Sequence, residues 1–541
     1  TSGDIVPSVL RDWKFSEDYK SMTLYLREGL KYSDGTVFTA DDYVYWWDHI
    51  AKNKVLNPTA PEDWKPGLMD VTKEDKWTVT FHWDDKAPLK HFALRLRMNP
   101  GSWEPIAPAD FMKQFHPDFI GLETANKLAS EKGLETWDEY YLRIQDDSPQ
   151  HPEFEKVRPT IYPYVPVERT ETSLIMERNP YYPFVDTEGN QLPYIDRIRI
   201  QLANSKEMAA TKAATGEATF AARHLKASDI PLYKKNESNE NFTTYLYSSA
   251  NGSELAIYPN PSSQNSVFSN VFQNDDFRRA LSLGIDRENI NQKVFFGRAI
   301  PRQATVPPVN KYFEENFAEA YADYDPEKAN AMLDEIGMVD QNNDGFRETP
   351  DGETFNPTLV YVENKQTTSI LELIRSNFED LKLNIDLKVV SRELHDTRKR
   401  ANKIDLSCWG LGQVTGLRFR TPGGVRNFAP VGQPAWVQWP GWTNWYLTDG
   451  EEGVEPPAEI KDMIAQAEIV MHSTDEEAVV KAAKALLQNQ ADQVWMIGTV
   501  GMAPIPLIVD NNLKNVPKTA LWGTSMEYTR PLHTEQFYLE E

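Results

Sequence analysis

Residues 26–42 read LREGLKYSDGTVFTADD, and this stretch predicts a strand, a tight turn and the start of a helix. Polar and apolar residues alternate over residues 23–27, which is the period of a strand with one buried face. The Asp34-Gly35 pair favours a turn, because glycine adopts backbone angles that other residues avoid. Thr39 is a residue type that caps helices, and two aspartates follow it in the first turn. We therefore expect a helix over residues 39–53.

The rest of the chain continues this mixed pattern of strands and helices. Alternation with period two marks the strands, and apolar stripes at helical spacing mark the helices. The pattern predicts strands at 77–83 and 384–390 and helices at 276–292, 366–381, 392–401, 458–472 and 475–492. Strands that alternate with helices indicate an α/β fold.

Composition excludes several classes of protein. At 541 residues the chain exceeds what one hydrophobic core usually serves, so we expect two or three lobes. The net charge of −24 argues against a nucleic-acid-binding or anionic-membrane surface. Cys408 is the only cysteine, which excludes an intrachain disulfide and a cysteine zinc site. There is no run of 18 apolar residues and no signal peptide at the start, so the chain is either cytosolic or has lost its N-terminal segment.

The stretch at 26–42 resembles the signature of the family 5 extracellular solute-binding proteins of ABC transporters. In that family the stretch is a scaffold element of the accessory lobe and binds no ligand. Further segments resemble the branch of the family that takes large ligands: residues 107–117, 178–182, 186–196, 223–225, 275–282, 303–308, 324–329, 494–501, 511–517 and 535–537.

The resemblance implies a periplasmic-binding-protein-like fold of type II, similar to cluster C, with two large hinged lobes and an accessory lobe. We expect the accessory lobe at 1–158, the first large lobe at 159–248 and 496–541, and the second large lobe at 249–495. The family begins with several tens of residues before the signature, which implies a segment missing before residue 1. The resemblance further implies a monomeric periplasmic or extracellular receptor, with or without a lipid anchor. Such a receptor closes about its hinge on a ligand and delivers it to ABC permease subunits, without a cofactor.

Residues 406–448 form the candidate ligand segment. They contain five of the 15 tryptophans, seven glycines and three arginines, but no Asp, Glu or Lys. The segment is too aromatic for a solvated loop and too rich in glycine and proline for a regular element. Rigid, half-polar rings on irregular backbone suit a ligand site. The alternative is that these tryptophans are core residues beneath long loops.

The residue types in this segment favour an oligosaccharide ligand. Sugars present C–H faces to aromatic rings and hydroxyl groups to amide and guanidinium side chains. Peptide receptors of the family commonly hold the peptide's ammonium group with an aspartate from the part that corresponds to 409–430, and this chain has no acid there. An oligopeptide is the alternative, and the arginines leave room for an anionic ligand. The candidate ligand-binding residues are Trp409, Gln413, Arg420, Asn427, Phe428, Trp436, Trp439, Trp442 and Trp445, together with His224.

Two candidates have ordinary structural alternatives. His224 lies in a segment that the resemblance places close to the ligand cleft, and the alternative is a loop histidine. Asp340, Asn342 and Asp344 have the spacing of the first half of a calcium loop, with Gly345 after them. The alternative is a turn rich in Asp and Asn, and no other metal site is predicted.

Neither an enzyme nor a chaperone is favoured. The chain has no G-x-S-x-G, H-E-x-x-H, Walker A or G-x-G-x-x-G motif, and its nine histidines lack metal-binding spacing. Paired carboxylates for glycoside hydrolysis are set by spatial approach, so a glycosidase stays open as an alternative. A holdase would need an open apolar patch, and the sequence neither shows nor excludes one.

Overall fold

The computed structural model describes residues 7–58, 69–84, 105–146, 157–223, 225–362, 365–432, 436–523 and 532–540. The chain divides into two compact units. The first unit consists of residues 1–219, 510–516 and 532–541, and the second of residues 220–509 and 517–531. Within the described ranges, no helix has both the length and the apolar composition that crossing a membrane requires.

The units group some segments differently from the lobes expected from the sequence. Residues 220–248, 496–509 and 517–531 were expected in the first large lobe, and they fall in the second unit. Strand pairing links part of these residues to the second unit, since Ser253–Pro259 pairs antiparallel with Ile497–Gly498. The finer division into three lobes stays a prediction.

Antiparallel sheets form the framework of the first unit. One sheet contains, in spatial order, Leu10–Phe15, Ser21–Leu26, Thr78–Trp83 and Met69–Asp75. A second contains Tyr164–Arg169, Ser173–Arg178 and Arg197–Gln201, and a third pairs Leu513–Lys514 with Tyr538–Leu539. The helices are Ala40–Tyr45, Ala109–Met112, Pro117–Ile120, Leu122–Ser130, Trp137–Gln145 and Lys206–Ala214, with a π-helix at Trp46–Ala51 and a 3₁₀ turn at Thr534–Gln536.

The stretch at 26–42 folds as the sequence predicts. Alternate residues of the strand Ser21–Leu26 are buried in the first unit's core. Thr39 caps the helix: its hydroxyl accepts from the Asp41 N–H at 3.3 Å, and its own N–H donates to Asp42 Oδ2 at 2.8 Å. The helix continues to Ala51, but its second half is a π-helix.

The second unit is built on a mixed five-stranded sheet. Its spatial order is Asp386–Val390, Thr358–Val362, Leu406–Leu411, Ser253–Pro259 and Ile497–Gly498. The first three strands are parallel, and Ser253–Pro259 is antiparallel to both of its neighbours. Smaller sheets contain Leu521–Trp522, Phe242–Ser249, Pro504–Asp510 and Phe220–Ala221, and separately Ile300–Pro301 and Val500–Gly501.

Helices cover the sheets of the second unit. They are Ile230–Asn236, Ser266–Gln273, Asp275–Leu283, Arg287–Phe295, Glu315–Glu319, Pro326–Glu335, Lys365–Asp380, Arg392–Arg400, Pro422–Val425, Pro440–Leu447, Ala458–His472 and Glu476–Gln493, with 3₁₀ turns at Ala227–Asp229 and Gly416–Arg420. One face of the five-stranded sheet packs into the unit's hydrophobic core through side chains such as Ile257, Leu359 and Cys408.

The prediction of one continuous helix at 276–292 is wrong. The apolar stripe at 276–292 predicted a single helix, and the structure has two, Asp275–Leu283 and Arg287–Phe295. The carboxylate of Asp286 caps the second helix by accepting from the Asn289 N–H at 2.9 Å. The cap at Asp286 marks the start of a second helix. The apolar spacing alone does not reveal this break, because it continues from one helix into the next.

Candidate ligand-binding site

The strand Leu406–Leu411 directs successive side chains into two environments. Leu406 and Cys408 lie in the hydrophobic core of the second unit. Because side chains alternate along a strand, Ser407 and Trp409 lie on the opposite face of the sheet. Trp409 is half-buried there and lines a cavity.

One face of the helix Arg392–Arg400 covers this side of the sheet. Its N-terminus is capped by the Ser391 hydroxyl, which accepts from the Leu394 N–H at 3.2 Å. Residues at positions i, i+3, i+4 and i+7 share a helix face and line the cavity here: Arg392, His395, Asp396 and Lys399. His395 joins helix to strand, because its Nε2 lies 3.0 Å from the Ser407 hydroxyl.

The cavity has a volume of about 290 Å³. This volume is close to the lower limit of small-molecule pockets, about 300 Å³. The cavity therefore has room for part of a chain-like ligand but not for a long one. Besides the helix face and Trp409, its wall includes the following polar and aromatic side chains: Asn251, Gln413, Arg426, Asn427 and Trp436.

Glycines allow the close packing of this wall. A Cβ at Gly423 would lie 2.4 Å from Gln413 Oε1, so the Gln413 side chain rests directly on the glycine. Gln413 itself has a φ of +61°, in the left-handed region that residues other than glycine rarely adopt. Asn427 is buried and donates its side-chain amide to the Gly424 carbonyl at 2.8 Å.

A single carboxylate holds two of the cations in the wall. Asp396 accepts from Arg392 Nε at 2.6 Å and from Lys399 Nζ at 3.1 Å. Burial alone would raise the pKa of Asp396, but these two hydrogen bonds hold it below its ordinary value. Burial lowers the pKa of Lys399, and Asp396 partly offsets that effect. Burial also lowers the pKa of His395, which favours the neutral imidazole.

Both tryptophans of the cavity carry cations over their rings. The Arg392 guanidinium lies 4.6 Å from the Trp409 ring centroid. Arg426 lies 4.3 Å and Lys399 Nζ 5.7 Å from the ring of Trp436. Burial lowers the pKa of Arg426 to about 10, which leaves it charged at neutral pH. The indoles therefore hold positive charge inside the cavity.

The predicted site residues separate into two groups. Trp409, Gln413, Asn427 and Trp436 line one cavity. Trp439 and Trp442 are almost fully buried and pack on each other and on Trp495. These two tryptophans thus occupy the core environment that the sequence analysis gave as the alternative.

Three further predicted residues, Phe428, Arg420 and Trp445, lie away from the cavity wall. Phe428 is buried against Phe419. Arg420 is also buried, and it donates to Glu476 and to the backbone carbonyls of the helix end at 470–473. Trp445 is half-buried, with the Lys461 ammonium 5.1 Å from its ring. His224 lies outside the described residues.

Sequence reasoning missed the charged wall of the cavity. The residues not anticipated are Asn251, Arg392, His395, Asp396, Lys399 and Arg426. The helical spacing of the four residues from 392 to 399 was readable, and the aromatic segment follows their helix directly. Charged side chains at this spacing usually mark a solvated helix face. The spacing alone therefore did not distinguish a solvated face from one that lines a ligand cavity.

Hydrogen bonds account for the candidate metal ligands. In the turn at 340–345, Asp340 Oδ2 accepts from the Gly345 N–H at 3.1 Å, and Asn342 Oδ1 accepts from the Asp344 N–H at 2.7 Å. This is the bonding of a turn rich in Asp and Asn. A further group lies in the first unit, where the Asp118 carboxylate is 2.8 Å from His49 Nδ1 and 3.5 Å from His116 Nδ1.

Comparison with known proteins places the chain in a family. The family model for bacterial extracellular solute-binding proteins, family 5 (middle), matches residues 4–417. The chain belongs to this family of solute-binding proteins.

Similar proteins differ in the ligand that their names record. A periplasmic alpha-galactoside-binding protein of Rhizobium meliloti is 25% identical over 95% of this chain and 71% of its own length. The oligopeptide-binding protein OppA of Lactococcus lactis subsp. lactis is 24% identical over 64% of this chain and 54% of its own.

Solved structures show the same two ligand classes. An oligopeptide-binding protein OppA has a TM-score of 0.77 and 29% identity, covering all of this chain and 86% of that one. The periplasmic binding protein MelB from Agrobacterium fabrum C58, in complex with stachyose, has a TM-score of 0.72 and 20% identity, covering 99% and 77%. The fold is therefore that of the type II periplasmic binding proteins, as the sequence predicts.

Proposed function

We propose that this protein is the substrate-binding receptor of an ABC importer and that it captures an oligosaccharide. The observation that carries the proposal is a cavity with two indoles and several amide groups in one wall. Trp409 and Trp436 offer apolar rings, and Asn251, Gln413 and Asn427 offer hydrogen-bonding groups. Sugar rings need this combination, because they pair apolar C–H faces with hydroxyl groups.

The charges in the cavity wall disfavour a peptide's ammonium group. Among the described residues, Asp396 is the only carboxylate in that wall, and Arg392 and Lys399 already bind it. A buried ammonium group needs a carboxylate partner, and one shared with two cations would serve it poorly. An uncharged or anionic ligand needs no carboxylate partner, so it avoids this unfavourable burial of a positive charge.

Stacking on Trp409 requires one movement within the wall. Arg392 covers a face of the Trp409 ring, but 61% of the Arg392 side chain is exposed. An exposed arginine turns at low cost, because each surface ion pair contributes less than about 1 kcal/mol. A sugar ring can therefore take the place of the guanidinium on the indole.

The receptor role places the protein outside the cytoplasm. The family is described as one of extracellular solute-binding proteins, and the alpha-galactoside-binding relative is named as periplasmic. We assign the same periplasmic or extracellular location to this chain and no catalytic step to its cavity. Binding alone performs the function, and hinge closure on the ligand should reduce the radius of gyration measured by small-angle X-ray scattering.

Calorimetric titration of the full chain tests the ligand class. The panel comprises neutral and acidic oligosaccharides of two to four units and a mixed set of peptides. We expect an oligosaccharide to bind, and at 100 times its dissociation constant to add about 2.7 kcal/mol of stability. Binding of peptides alone would refute the proposal.

Two tryptophan variants locate the site. Trp409→Ala should weaken oligosaccharide binding by ~1–3 kcal/mol if the indole stacks on the ligand. Trp445→Ala is the matched control, because Trp445 is half-buried in the same segment but lies outside the cavity wall. Equal affinities for Trp409→Ala and the unmodified chain would remove Trp409 from the site.

An oligopeptide is the second candidate, and one acid favours it. Glu254 is hydrogen-bonded to the side chain of Asn251, which lines the cavity, and burial raises the pKa of the Glu254 carboxyl. If peptides bind through their ammonium group, Glu254→Gln should abolish that binding. Under the oligosaccharide proposal the same variant retains sugar affinity.

A further inference from the structure

Two histidines and one aspartate of the first unit converge at one point. His49 Nδ1 lies 2.8 Å from Asp118 Oδ2, and His116 Nδ1 lies 3.5 Å from the same oxygen. The three candidate ligand atoms are all within 4.8 Å of one another. In the described part of the chain, no other group of three His, Cys, Asp or Glu side chains converges in this way. We call these three residues the histidine–aspartate cluster.

The cluster joins two segments that are far apart in the sequence. His49 lies on the π-helix Trp46–Ala51, whereas His116 caps the short helix that contains Asp118. His49 and Asp118 are separated by 69 positions, so no spacing in the sequence reveals the cluster. A π-helix is rare and is frequently found at functional sites.

The spacing of the three side chains is close to that of ligands around a tetrahedral ion. With metal–ligand bonds of about 2.0–2.2 Å, neighbouring ligand atoms of a zinc ion lie about 3.3–3.6 Å apart. The distance from His116 to Asp118 falls in this range, and the distance from His49 to Asp118 is slightly shorter. The His116 side chain is 1% exposed, whereas that of Asp118 is 57% exposed. The exposed carboxylate can therefore adjust to an ion while the buried imidazole stays fixed.

The state of the His116 ring suits coordination. Its Nδ1 accepts from the Asp118 N–H at 3.2 Å, so the lone pair of this nitrogen points towards the cluster. Burial lowers the pKa of His116, which favours the neutral imidazole that a metal ion requires. The ring also hydrogen-bonds to the backbone of His49. Imidazoles that coordinate an ion usually have such a second partner, which fixes the orientation of the ring.

Aromatic packing holds both imidazoles in place. The His116 ring centroid lies 5.2 Å from that of Trp137 and 5.3 Å from that of Tyr141, with both pairs edge to face. The His49 ring packs in the same manner on Phe119, at 4.8 Å. Side chains that are already ordered lose little conformational entropy on binding. The two nitrogen ligands are therefore positioned in advance.

We propose that the histidine–aspartate cluster binds one divalent transition-metal ion of the zinc class, and that this ion fastens the π-helix to the turn at 116–118. Two imidazoles and one carboxylate suit Zn²⁺, whereas Ca²⁺ and Mg²⁺ prefer oxygen ligands alone. Water supplies the fourth ligand on the exposed side of Asp118. The site is separate from the proposed oligosaccharide site, because the two share no residue.

Equilibrium dialysis against zinc chloride tests the proposal. The full chain is prepared without a histidine tag, treated with a chelator and dialysed, and bound zinc is counted by mass spectrometry. We expect one zinc ion per chain, retained in a roughly tenfold excess of calcium or magnesium chloride. Absence of bound zinc, or its displacement by either of these ions, would overturn the proposal.

Two variants and one control assign the zinc to the cluster. His49→Gln and Asp118→Asn should each lower zinc affinity by at least roughly tenfold, since loss of even an outer partner of a metal ligand costs that much. His116 is left intact because its ring is buried. The control is His533→Gln: His533 Nδ1 lies 3.1 Å from Glu535 in the same unit, without a third ligand among the described residues. Unchanged affinity in both cluster variants, or an equal loss in the control, would contradict the assignment.

Cobalt and thermal unfolding give two readouts of direct coordination. Co²⁺ bound to the unmodified chain should show the strong visible absorption of a four-coordinate ion, and His49→Gln should lose it. Zinc should raise the Tm of the unmodified chain but not that of His49→Gln, because an ion that binds only the folded state stabilises it. The weak spectrum of hydrated Co²⁺ with the unmodified chain, or an equal rise in Tm for both proteins, would place the ion outside the cluster and refute the proposal.

Discussion

Comparison of Trp439→Ala with Trp409→Ala tests whether a core tryptophan can be distinguished from the one proposed to bind the ligand. Trp439 is fully buried, with its ring centroid 6.5 Å from Trp442 and 6.2 Å from Trp495. Truncating a buried tryptophan costs about 3–5 kcal/mol. Unfolding of the second unit, with about 300 residues, has an entropy near 0.6 kcal/mol/K, so each kcal/mol lowers Tm by about 1.6 °C. We expect Tm to fall by about 5–8 °C.

Differential scanning calorimetry and ligand titration, performed on the same samples, check this prediction. The control is Trp409→Ala, which removes a half-buried ring from the cavity wall. That variant should lose affinity and keep most of its Tm, whereas Trp439→Ala should lose Tm and keep its affinity. The reverse assignment, with affinity lost and Tm unchanged in Trp439→Ala, would refute the placement of Trp439 in the core.

Two further substitutions and one thiol reaction test the environments of residues in the second unit. Arg420→Met should lower Tm by about 3–5 °C, since Glu476 and two backbone carbonyls lose a donor worth about 2–3 kcal/mol, and ligand titration should show unchanged affinity; a loss of affinity instead would return Arg420 to the site. Gly423→Ala should displace Gln413 and weaken ligand binding about fivefold, with Tm altered by less than about 2 °C in calorimetry; unchanged affinity would exclude Gln413 from binding. The Cys408 thiol should fail to react with a disulfide reagent at pH 8 in the native protein and react fully in guanidinium chloride, because burial raises its pKa and excludes the reagent; rapid native reaction would contradict this burial.

The local elements were predictable because their signals are local. The cap at Thr39 depends on residues within one helical turn, and it formed as the sequence indicates. The helix at 458–472 has the predicted bounds, Ala458–His472. The break at Asp286 was missed because the apolar stripe continues through it, and only the cap signals the new start.

The aromatic segment shows where such reasoning ends. Composition identified a ring-rich segment without acids, but it does not say which rings point to the core. Trp409 follows the strand alternation, whose orientation is known only once the core face at Cys408 is known. Trp439 and Trp442 are buried by Trp495, which lies about fifty residues later in the chain and was not connected to them by any local pattern.

The charged wall of the cavity depends on tertiary placement for the same reason. The helix Arg392–Arg400 was predicted, but its polar face would be expected in solvent. Contact with Ser407 through His395 turns that face towards the sheet instead. The local sequence determines the spacing of the cations along the helix. Whether they face solvent or the cavity depends on how the helix packs on the sheet.

The burial of the single cysteine makes this receptor suitable as an optical biosensor. Cys408 points into the core, so a thiol-reactive dye has no natural attachment point on the folded protein. An engineered Leu394→Cys would place the only reactive thiol on the exposed side of the helix whose other side lines the cavity. A fluorophore there would report occupancy of the cavity as a change in emission, without removal of the native cysteine.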